Sequence, residues 1–277
     1  MHDIKVAVVQ FDLDVLEPRS NRSTIERAVI EAAREGCSLV VLPELSNTGF
    51  IRPYEASFAR ELWNASELPE GEIVQSLVAL GRQHRISIVV GLALRHPSIT
   101  GVLRNVSVLF TEGGQQHHHV KVHLPRDEKR YFEEGDTFSV HDLASCKLGM
   151  LVCADLAFPE AARCLALQGA ELLAVPMCAP APRNPQLYEG LAMARAYENQ
   201  AYVLVANRVG TDHGSKFGGG SIIAAPDGTI VAKLGASPDM AVATLDSGLF
   251  LDERLRQTRF RDRRPALYGP IAKGCTQ

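Results

Sequence analysis

Short apolar runs recur along the chain and predict β-strands. Several of them are continuously apolar, which is typical of strands that are covered on both faces. The runs are IKVAVVQF, SLVVLPE, ISIVVGLAL, NVSVLFTEGG, LGMLVCAD, ELLAVPM, AYVLVANRVG, GGSIIAAPDGTIVAKLG and MAVATLD. We therefore expect extensive buried β-sheet.

Stretches with helical spacing lie between these runs and alternate with them. They cover residues 21–35, 70–84, 159–168 and 188–200. Ser20 or Asn21 is predicted to cap the first helix, with Gly36 after its end. Pro159 fits the first turn of the third helix, and Gly169 is predicted to end it. The alternation of strands and helices predicts an α/β layered fold.

Two segments predict hairpins, which makes the predicted sheets mixed. In residues 104–120 and 219–235, strand patterns flank Glu-Gly-Gly and Pro-Asp-Gly. No linker rich in Pro, Gly or Ser divides the chain, so residues 1–277 are interpreted as one domain. The segment 249–277 is rich in Arg, Asp and Pro and is predicted to be an extended tail on the body or on a partner subunit.

The composition is that of an ordinary globular protein. Of 277 residues, 46% are hydrophobic and 22% are charged, so a large core is possible. The net charge of -3 gives no electrostatic attraction toward phosphate backbones or anionic lipid. We expect no nucleic-acid partner and no membrane partner.

The N-terminus and the cysteines favour a cytoplasmic location. The first residues enter a strand pattern without the features of a secretory signal, and no apolar run approaches the roughly 20 residues that span a bilayer. The six cysteines lack the tight spacing of a disulfide framework, so a reducing compartment explains them better. They are Cys37, Cys146, Cys153, Cys164, Cys178 and Cys275.

Reactive side chains lie at the ends of predicted strands. Cys153 ends the apolar run LGMLVC and precedes a helix-like segment. Glu44 ends the run SLVVLPE, and the segment 117–136 supplies Lys121 and Glu128. A thiol, a carboxylate and an ammonium are the groups that covalent acyl transfer requires. These residues are therefore candidate catalytic groups.

Each of these residues also has a structural interpretation. A lone cysteine at a strand end is usually a packing residue, and Glu44 could cap a helix or form an edge ion pair. Lys121 and Glu128 could be solvated surface charges. In the catalytic interpretation, the backbone N–H of Ala154 helps Lys121 to bind an oxyanion.

The combination is more specific than its parts. From Val6 to Leu267, the chain resembles the nitrilase or carbon-nitrogen hydrolase superfamily, in its amidase-like branch. The resemblance is carried by Glu44 in VVLPELSNTGF, Lys121 in KVHLPRDEKRYFEEGD, Cys153 in LVCADLAFPEAAR, and the segments 193–210 and 217–228.

The resemblance implies a fold, an assembly and a role for each candidate. It implies a four-layer αββα sandwich of two mixed β-sheets flanked by helices, paired as a homodimer or a higher homo-oligomer, without metal or organic cofactor. It implies that Glu44 is the general base, Lys121 stabilises the tetrahedral intermediate, Cys153 is the nucleophile and Glu128 assists.

The residues after Cys153 favour a small neutral amide, cleaved to carboxylic acid and ammonia through a thioester. Ala154 and Asp155 stand where true nitrilases commonly have Trp-Glu, so nitriles rank lower. Leu156 and Ala157 cannot replace the arginines that receive the carboxylate of N-carbamoyl amino acids. An N-carbamoyl amidohydrolase of the ureidopropionase or carbamoylputrescine type remains the alternative, as do acyl transfer to another acceptor and a catalytically silent scaffold or binding protein.

A run of histidines raises a metal site as a further alternative. Alternate residues of a strand share a face, so His117 and His119 could point the same way, with His123 nearby. No carboxylate or cysteine at ligand spacing completes a set, so no metal site is predicted.

Overall fold

The computed structural model describes residues 1–49 and 54–273, and its elements are labelled here in chain order. The helices are α1 (Pro18–Arg34), α2 (Ala56–Ala65), α3 (Glu72–His84), α4 (Pro159–Leu167), α5 (Leu187–Asn199) and α6 (Ser247–Arg256). The strands are β1 (Ile4–Gln10), β2 (Leu39–Val41), β3 (Ser87–Arg95), β4 (Leu103–Phe110), β5 (Gln116–Val120), β6 (Phe132–Glu133), β7 (Val140–Asp142), β8 (Lys147–Met150), β9 (Leu172–Pro176), β10 (Tyr202–Ala206), β11 (Val209–Asp212), β12 (Ser215–Gly218), β13 (Ile222–Ala224), β14 (Ile230–Lys233) and β15 (Asp239–Leu245).

The strands form two large mixed sheets and a small hairpin. The first sheet has the order β15-β1-β2-β3-β4-β5, with β6 beside β4, and the second has the order β14-β13-β10-β9-β8-β7. In both, parallel pairs occupy the centre and antiparallel pairs the edges. β11 and β12 pair separately.

Alternation along the strands divides the core into layers. Val6 and Val8 of β1 pack against the second sheet, whereas Ala7 and Val9 pack beneath α1 and α3. Alternate residues of β9 divide in the same way between the inter-sheet layer and the layer beneath α4 and α5. Because a strand side chain contacts the face to which it points, continuously apolar strands must be covered twice. This is the predicted αββα sandwich.

The turn residues place both predicted hairpins. β4 pairs antiparallel with β5, and β13 with β14. The second turn runs through Pro226-Asp227-Gly228, where Gly228 adopts a φ of +87° and the Ala225 N–H donates to the Thr229 carbonyl at 2.8 Å. A positive φ costs glycine little, which is why this position suits a tight turn.

The start of the first helix differs from the prediction. α1 begins at Pro18, so Ser20 and Asn21 lie inside it and do not cap it. Proline is favoured in the first helical turn, because its fixed φ is helical and its missing N–H would have had no partner there. Asn21 is buried, and its Nδ2 donates to the carbonyls of Asp14 and Asn47. The helix α2 was not predicted.

The prediction of an extended tail from Leu249 is wrong for its first part. Residues Ser247–Arg256 form α6, because the Asp246 carboxylate accepts hydrogen bonds from the N–H groups of Gly248 and Leu249 and caps the helix. Short 3-10 turns follow at Pro265–Leu267 and Gly269–Ala272. Cys275 lies outside the described residues. Among the helices described, none has the length and apolarity needed to cross a membrane.

Candidate active site

The candidate residues lie where strands of both sheets end. Glu44 follows β2 and Lys121 follows β5 in the first sheet, whereas Cys153 follows β8 in the second. The Glu44 N–H donates to the carbonyl of Met177, just beyond β9, at 3.3 Å. The Lys121 N–H donates to the Asn105 carbonyl at 2.8 Å, which continues the pairing of β5 with β4. The site is therefore built across the two sheets.

One buried ammonium joins the two predicted carboxylates. Lys121 Nζ donates to Glu44 Oε1 at 2.8 Å, and to Glu128 Oε2 at 2.7 Å and Oε1 at 3.0 Å. Lys121 is fully buried, and both glutamates are buried. Charges taken out of water require such partners, since an unpaired buried charge is strongly destabilising. The surface interpretation of Lys121 and Glu128 is therefore wrong.

Glu44 receives hydrogen bonds from two groups that were absent from the predicted site. Asn105 Nδ2 donates to Oε1 at 2.7 Å, and the Cys178 N–H donates to Oε2 at 2.8 Å. Together with Lys121 they hold both oxygens of the carboxylate. The one sequence signal for Asn105 is its polar side chain at the start of an apolar strand run. Nothing in the sequence indicates the backbone of Cys178.

A glycine lets the Glu44 backbone lie close to β3. A Cβ added at Gly91 would be 2.3 Å from Glu44 Cα and 3.0 Å from the Leu45 nitrogen. The Gly91 N–H donates to the Pro43 carbonyl, and its carbonyl accepts from the Ser46 N–H. The turn that carries Glu44 is thus fixed to β3 on both sides of the carboxylate.

The backbone at Cys153 adopts a conformation that non-glycine residues rarely occupy. Its φ is +45°, at the start of a 3-10 turn over Cys153–Ala157. Such a conformation costs on the order of 1–3 kcal/mol and persists where the surroundings enforce it. The first N–H groups of a helical turn, here those of Cys153 and Ala154, have no partner within the turn. They are available to an oxyanion beside the thiol.

Asp155 fixes this turn to the segment that carries Lys121. Its Oδ2 accepts from the Val152 N–H at 3.0 Å and lies 3.1 Å from His119 Nε2. Its Oδ1 accepts from the His123 N–H at 3.0 Å and lies 2.7 Å from His123 Nδ1. Asp155 is fully buried; burial opposes its charge, but the hydrogen bonds from His119 and His123 keep its pKa below the ordinary value.

The electrostatics of the cluster favour a neutral thiol in the resting site. Burial raises the pKa of Cys153 well above its ordinary value, and Glu44 raises it further, whereas Lys121 opposes this. Burial alone would lower the pKa of Lys121, but Glu44, Cys153 and Glu128 raise it above its ordinary value. Lys121 therefore stays an ammonium, and the thiol needs a base when it attacks.

Burial also raises the pKa of Glu128. Lys121 opposes the shift and Glu44 adds to it, which brings the pKa of Glu128 to about 7. Two carboxylates that share one ammonium repel each other in a dry site. The protonation of Glu128 therefore changes near neutral pH.

Two cavities open at the surface of the described residues, and one of them is lined by the candidate residue Ala154. One, of about 200 Å³, is bounded by Ala154, Phe158 and His123, with Lys129 and Glu134 at its edge. The rings of His123 and Phe158 stack with centroids 3.7 Å apart. The other, of about 180 Å³, includes Tyr188, Asn207 and Gly219 in its lining.

The histidine run separates in the structure. His117 stacks on His141 with ring centroids 4.3 Å apart, His118 is exposed, and His119 and His123 contact Asp155. Within residues 1–49 and 54–273, no three His, Cys, Asp or Glu residues are arranged to hold a metal ion.

Comparison with known proteins gives the family. The model of the carbon-nitrogen hydrolase family matches residues 5–250. A nitrilase from Pyrococcus abyssi is 37% identical over 96% of this chain and 99% of its own length. An (R)-stereoselective amidase from a Pseudomonas species is 33% identical over 83% of this chain and 81% of its own.

A solved structure has a similar fold over nearly the whole chain. A mutant of the amidase from Nesterenkonia sp. AN1 superposes with a TM-score of 0.80 at 27% identity, covering 96% of this chain and 95% of that one. That structure contains the acetamide moiety of fluoroacetamide added covalently at the active-site cysteine. The chain described here therefore belongs to the carbon-nitrogen hydrolase family and is a hydrolase of non-peptide carbon–nitrogen bonds.

Proposed function

We propose that this protein hydrolyses a small neutral amide to a carboxylic acid and ammonia through a thioester on Cys153. The observation that carries the proposal is the buried Lys121 ammonium held between Glu44 and Glu128 beside a strained cysteine turn. This arrangement places a base, a cation and a nucleophile in one dry site, as covalent acyl transfer requires.

Acylation begins when the Glu44 carboxylate takes the proton of the Cys153 thiol. The sulfur attacks the amide carbonyl and forms the carbon–sulfur bond, while Lys121 and the Ala154 N–H stabilise the oxyanion. Glu44 then gives the proton to the amide nitrogen as the carbon–nitrogen bond breaks and ammonia leaves. The base is needed because burial keeps the resting thiol neutral.

Deacylation uses the same groups. Glu44 takes a proton from a water molecule, whose oxygen attacks the thioester carbonyl. Lys121 and Ala154 stabilise the second oxyanion, and the carbon–sulfur bond breaks as the proton returns to the sulfur. Amide and water are thus converted to carboxylic acid and ammonia, with the enzyme restored. The hydrogen bonds from Asn105 and Cys178 keep the Glu44 carboxylate oriented through both steps.

The cavity beside Ala154 supports a neutral substrate. Two of its lining residues, Lys129 and Glu134, form an ion pair with Nζ 3.2 Å from Oε1, so their charges balance each other. The small Ala154 side chain leaves this space open. Leu156 and Ala157, which follow in the turn, supply no cation for a substrate carboxylate.

Ammonia release from a panel of substrates tests the proposal. The panel contains neutral aliphatic and aromatic amides, N-carbamoyl amino acids and nitriles, and Cys153→Ala is measured beside the wild type. Release from simple amides that is lost in the variant supports the proposal. Ammonia release that is faster from carbamoyl compounds or nitriles than from amides would assign the protein to that substrate class instead. Ammonia release that persists in Cys153→Ala would refute the thioester route. Silence across the panel would favour a scaffold or binding role.

A further inference from the structure

Two histidines flank Lys121 in the chain, His119 two residues before it and His123 two residues after it. His119 lies in β5 (Gln116–Val120), and Lys121 and His123 are the next alternate positions of the segment that leaves this strand. Lys121 points to the carboxylates of Glu44 and Glu128, and both flanking histidines contact the single carboxylate of Asp155. The chain is thus anchored on both sides of the catalytic ammonium.

Asp155 belongs to the turn that carries Cys153, on the side of the site that the second sheet supplies. It is the third residue of the turn that begins at Cys153, and its N–H donates to the Val152 carbonyl at 2.9 Å. Its Oδ2 accepts the Val152 N–H, so the same carboxylate stabilises the strained backbone before the thiol. The first sheet supplies the Lys121 segment and the second supplies the Cys153 turn, and Asp155 bonds the two together.

The contacts of Asp155 are buried and use both of its oxygens. Asp155 is fully buried and His119 is 4% exposed. The ring of His119 also packs on Phe138 with centroids 5.7 Å apart, which fixes its orientation. The Asp155 carboxylate thus has four hydrogen-bond donors, and hydrogen bonds to charged groups are stronger than those between neutral groups.

We infer that Asp155 is a positioning residue that sets the distance between the Lys121 ammonium and the Cys153 thiol, and that it acts through His119 and His123. It touches neither the substrate nor the reacting atoms. This inference rests on the proposed function for its effect on turnover. A displacement of about 1 Å among catalytic groups can lower the rate on the order of 100-fold. Loss of the hydrogen bonds between Asp155 and the two histidines should therefore lower kcat.

Substitution of His119 tests the inference with a matched set of variants. His119→Phe keeps a ring against Phe138 but removes the Nε2 donor, whereas His119→Gln keeps a donor near that position. His118→Phe, at the exposed neighbouring residue of β5, is the control. We expect His119→Phe to lower kcat roughly 10- to 100-fold with little change in KM, His119→Gln to recover most of the loss, and the control to match the wild type.

A double variant tests whether Asp155 and His119 act together. Asp155→Asn replaces an accepting oxygen by a donor, so it disrupts the bonds from Val152 and His119 while keeping the shape. If the two residues work as one unit, adding His119→Phe to Asp155→Asn lowers kcat no further. Independent, multiplicative losses would overturn the coupling.

Alkylation of the thiol gives a readout that does not depend on the substrate. Iodoacetamide labelling of Cys153 is followed by peptide mass spectrometry, with exposed Cys164 as the internal reference. We expect the rate ratio of Cys153 to Cys164 to change about tenfold or more in His119→Phe and to return toward the wild-type ratio in His119→Gln. The inference would be overturned if folded His119→Phe had the kcat and the labelling ratio of the wild type. It would also be overturned if His119→Gln restored neither quantity. If the wild type hydrolyses no amide, the proposed function fails, whereas the labelling ratio still decides the role of Asp155.

Discussion

At the scale of single residues, the site is a charge cluster with more carboxylate than ammonium. Lys121 serves both Glu44 and Glu128, and Asn105 with the Cys178 N–H supplies the remaining donors to Glu44. The excess negative charge, together with burial, explains why the thiol is neutral at rest and why protonation of Glu128 occurs near neutral pH. The ionisation of the cluster should therefore be visible in the pH dependence of activity.

We predict that ionised Glu128 is required to hold Lys121 in place. Burial raises the pKa of Glu128 to about 7, so the carboxylate gains a proton and loses its pairing with Lys121 as the pH falls through that value. In the wild type, kcat/KM for an amide should decline below about pH 7. In Glu128→Gln, kcat/KM should show no decline near pH 7, and its value at high pH should be lower than that of the wild type. An unchanged inflection in the variant would assign it to another group.

The same titration affects stability, with the opposite dependence on pH. The folded pKa of Glu128 lies above its ordinary value of 4.5, so its contribution to the free energy of unfolding is complete below about pH 4.5 and is lost as the pH rises through 7. Urea unfolding at pH 5 and at pH 8 should show the wild type losing stability relative to Glu128→Gln as the pH increases. The prediction would be contradicted if the wild type and Glu128→Gln differed by the same free energy of unfolding at both pH values.

At the scale of elements, strand ends position the chemistry. The turn after β2 can approach β3 closely only because residue 91 is glycine, since a Cβ there would lie 2.3 Å from Glu44 Cα. The obstacle is backbone, which cannot rotate away as a flexible side chain can. The position of Glu44 thus depends on β3 as much as on β2.

Gly91→Ala should therefore lower both stability and turnover. Forcing extra atoms into a packed core typically costs about 1–3 kcal/mol, and here the displaced atoms belong to Glu44, the proposed general base. Gly190→Ala is the control, because a Cβ added at this position, in the first turn of α5, meets no atom within 4 Å. The control should be neutral or stabilised by up to about 1 kcal/mol. Urea unfolding and kcat measure the two effects, and a Gly91→Ala protein with wild-type values would refute the account.

The sequence predicted the elements better than the contacts between them. Apolar runs identified the strands, because sandwiching between two layers requires continuous apolarity. They also placed Glu44, Lys121 and Cys153 at strand ends. The partners of Glu44 were not predictable, because Asn105 and Cys178 lie 61 and 134 residues away in the chain and meet it only through the packing of two sheets. The α1 cap was mispredicted because Pro18 and Asn21 both fit a helix start.

At the scale of the whole molecule, the C-terminal segment joins the second helical layer. The ring of Phe260 lies beneath the guanidinium of Arg254 of α6, 4.4 Å from its centroid, and beneath that of Arg163 of α4 at 5.2 Å. Arg259 covers the ring of Tyr197 on α5 at 3.8 Å. These stacks bind residues after α6 to the helices that cover the second sheet.

Phe260→Ala should destabilise the fold without slowing catalysis. Each cation–π contact contributes about 0.5–1 kcal/mol, and the lost apolar contact adds to this, so we expect a decrease of about 1–3 kcal/mol in the free energy of unfolding. Ile99→Ala, at a residue that is 52% exposed and far from this segment in the chain, should change it by less than about 0.5 kcal/mol. Urea unfolding with kcat measured beside it tests both. A large loss of kcat in folded Phe260→Ala would contradict the prediction that this segment stabilises the fold without affecting the active site.

The homodimer implied by the family resemblance remains a prediction. Leu251, Leu255, Leu267 and Ile271 are exposed on the C-terminal part of the chain. Apolar side chains of this kind favour association with a partner surface. Sedimentation velocity should give a species of at least twice the 30.2 kDa chain mass, as a dimer or a higher oligomer, and a monomer at micromolar concentration would contradict the prediction.

In the proposed reaction, Cys153 carries the acyl group during amide hydrolysis. The most direct measurement is rapid acid quenching of the wild type with a turned-over amide, followed by peptide mass spectrometry. We predict a mass increase equal to the mass of the amide minus that of ammonia on the peptide that contains Cys153. Hydroxylamine should remove this added mass, and Cys153→Ala should lack it. An acyl group on another residue, or equal ammonia release by Cys153→Ala, would contradict it.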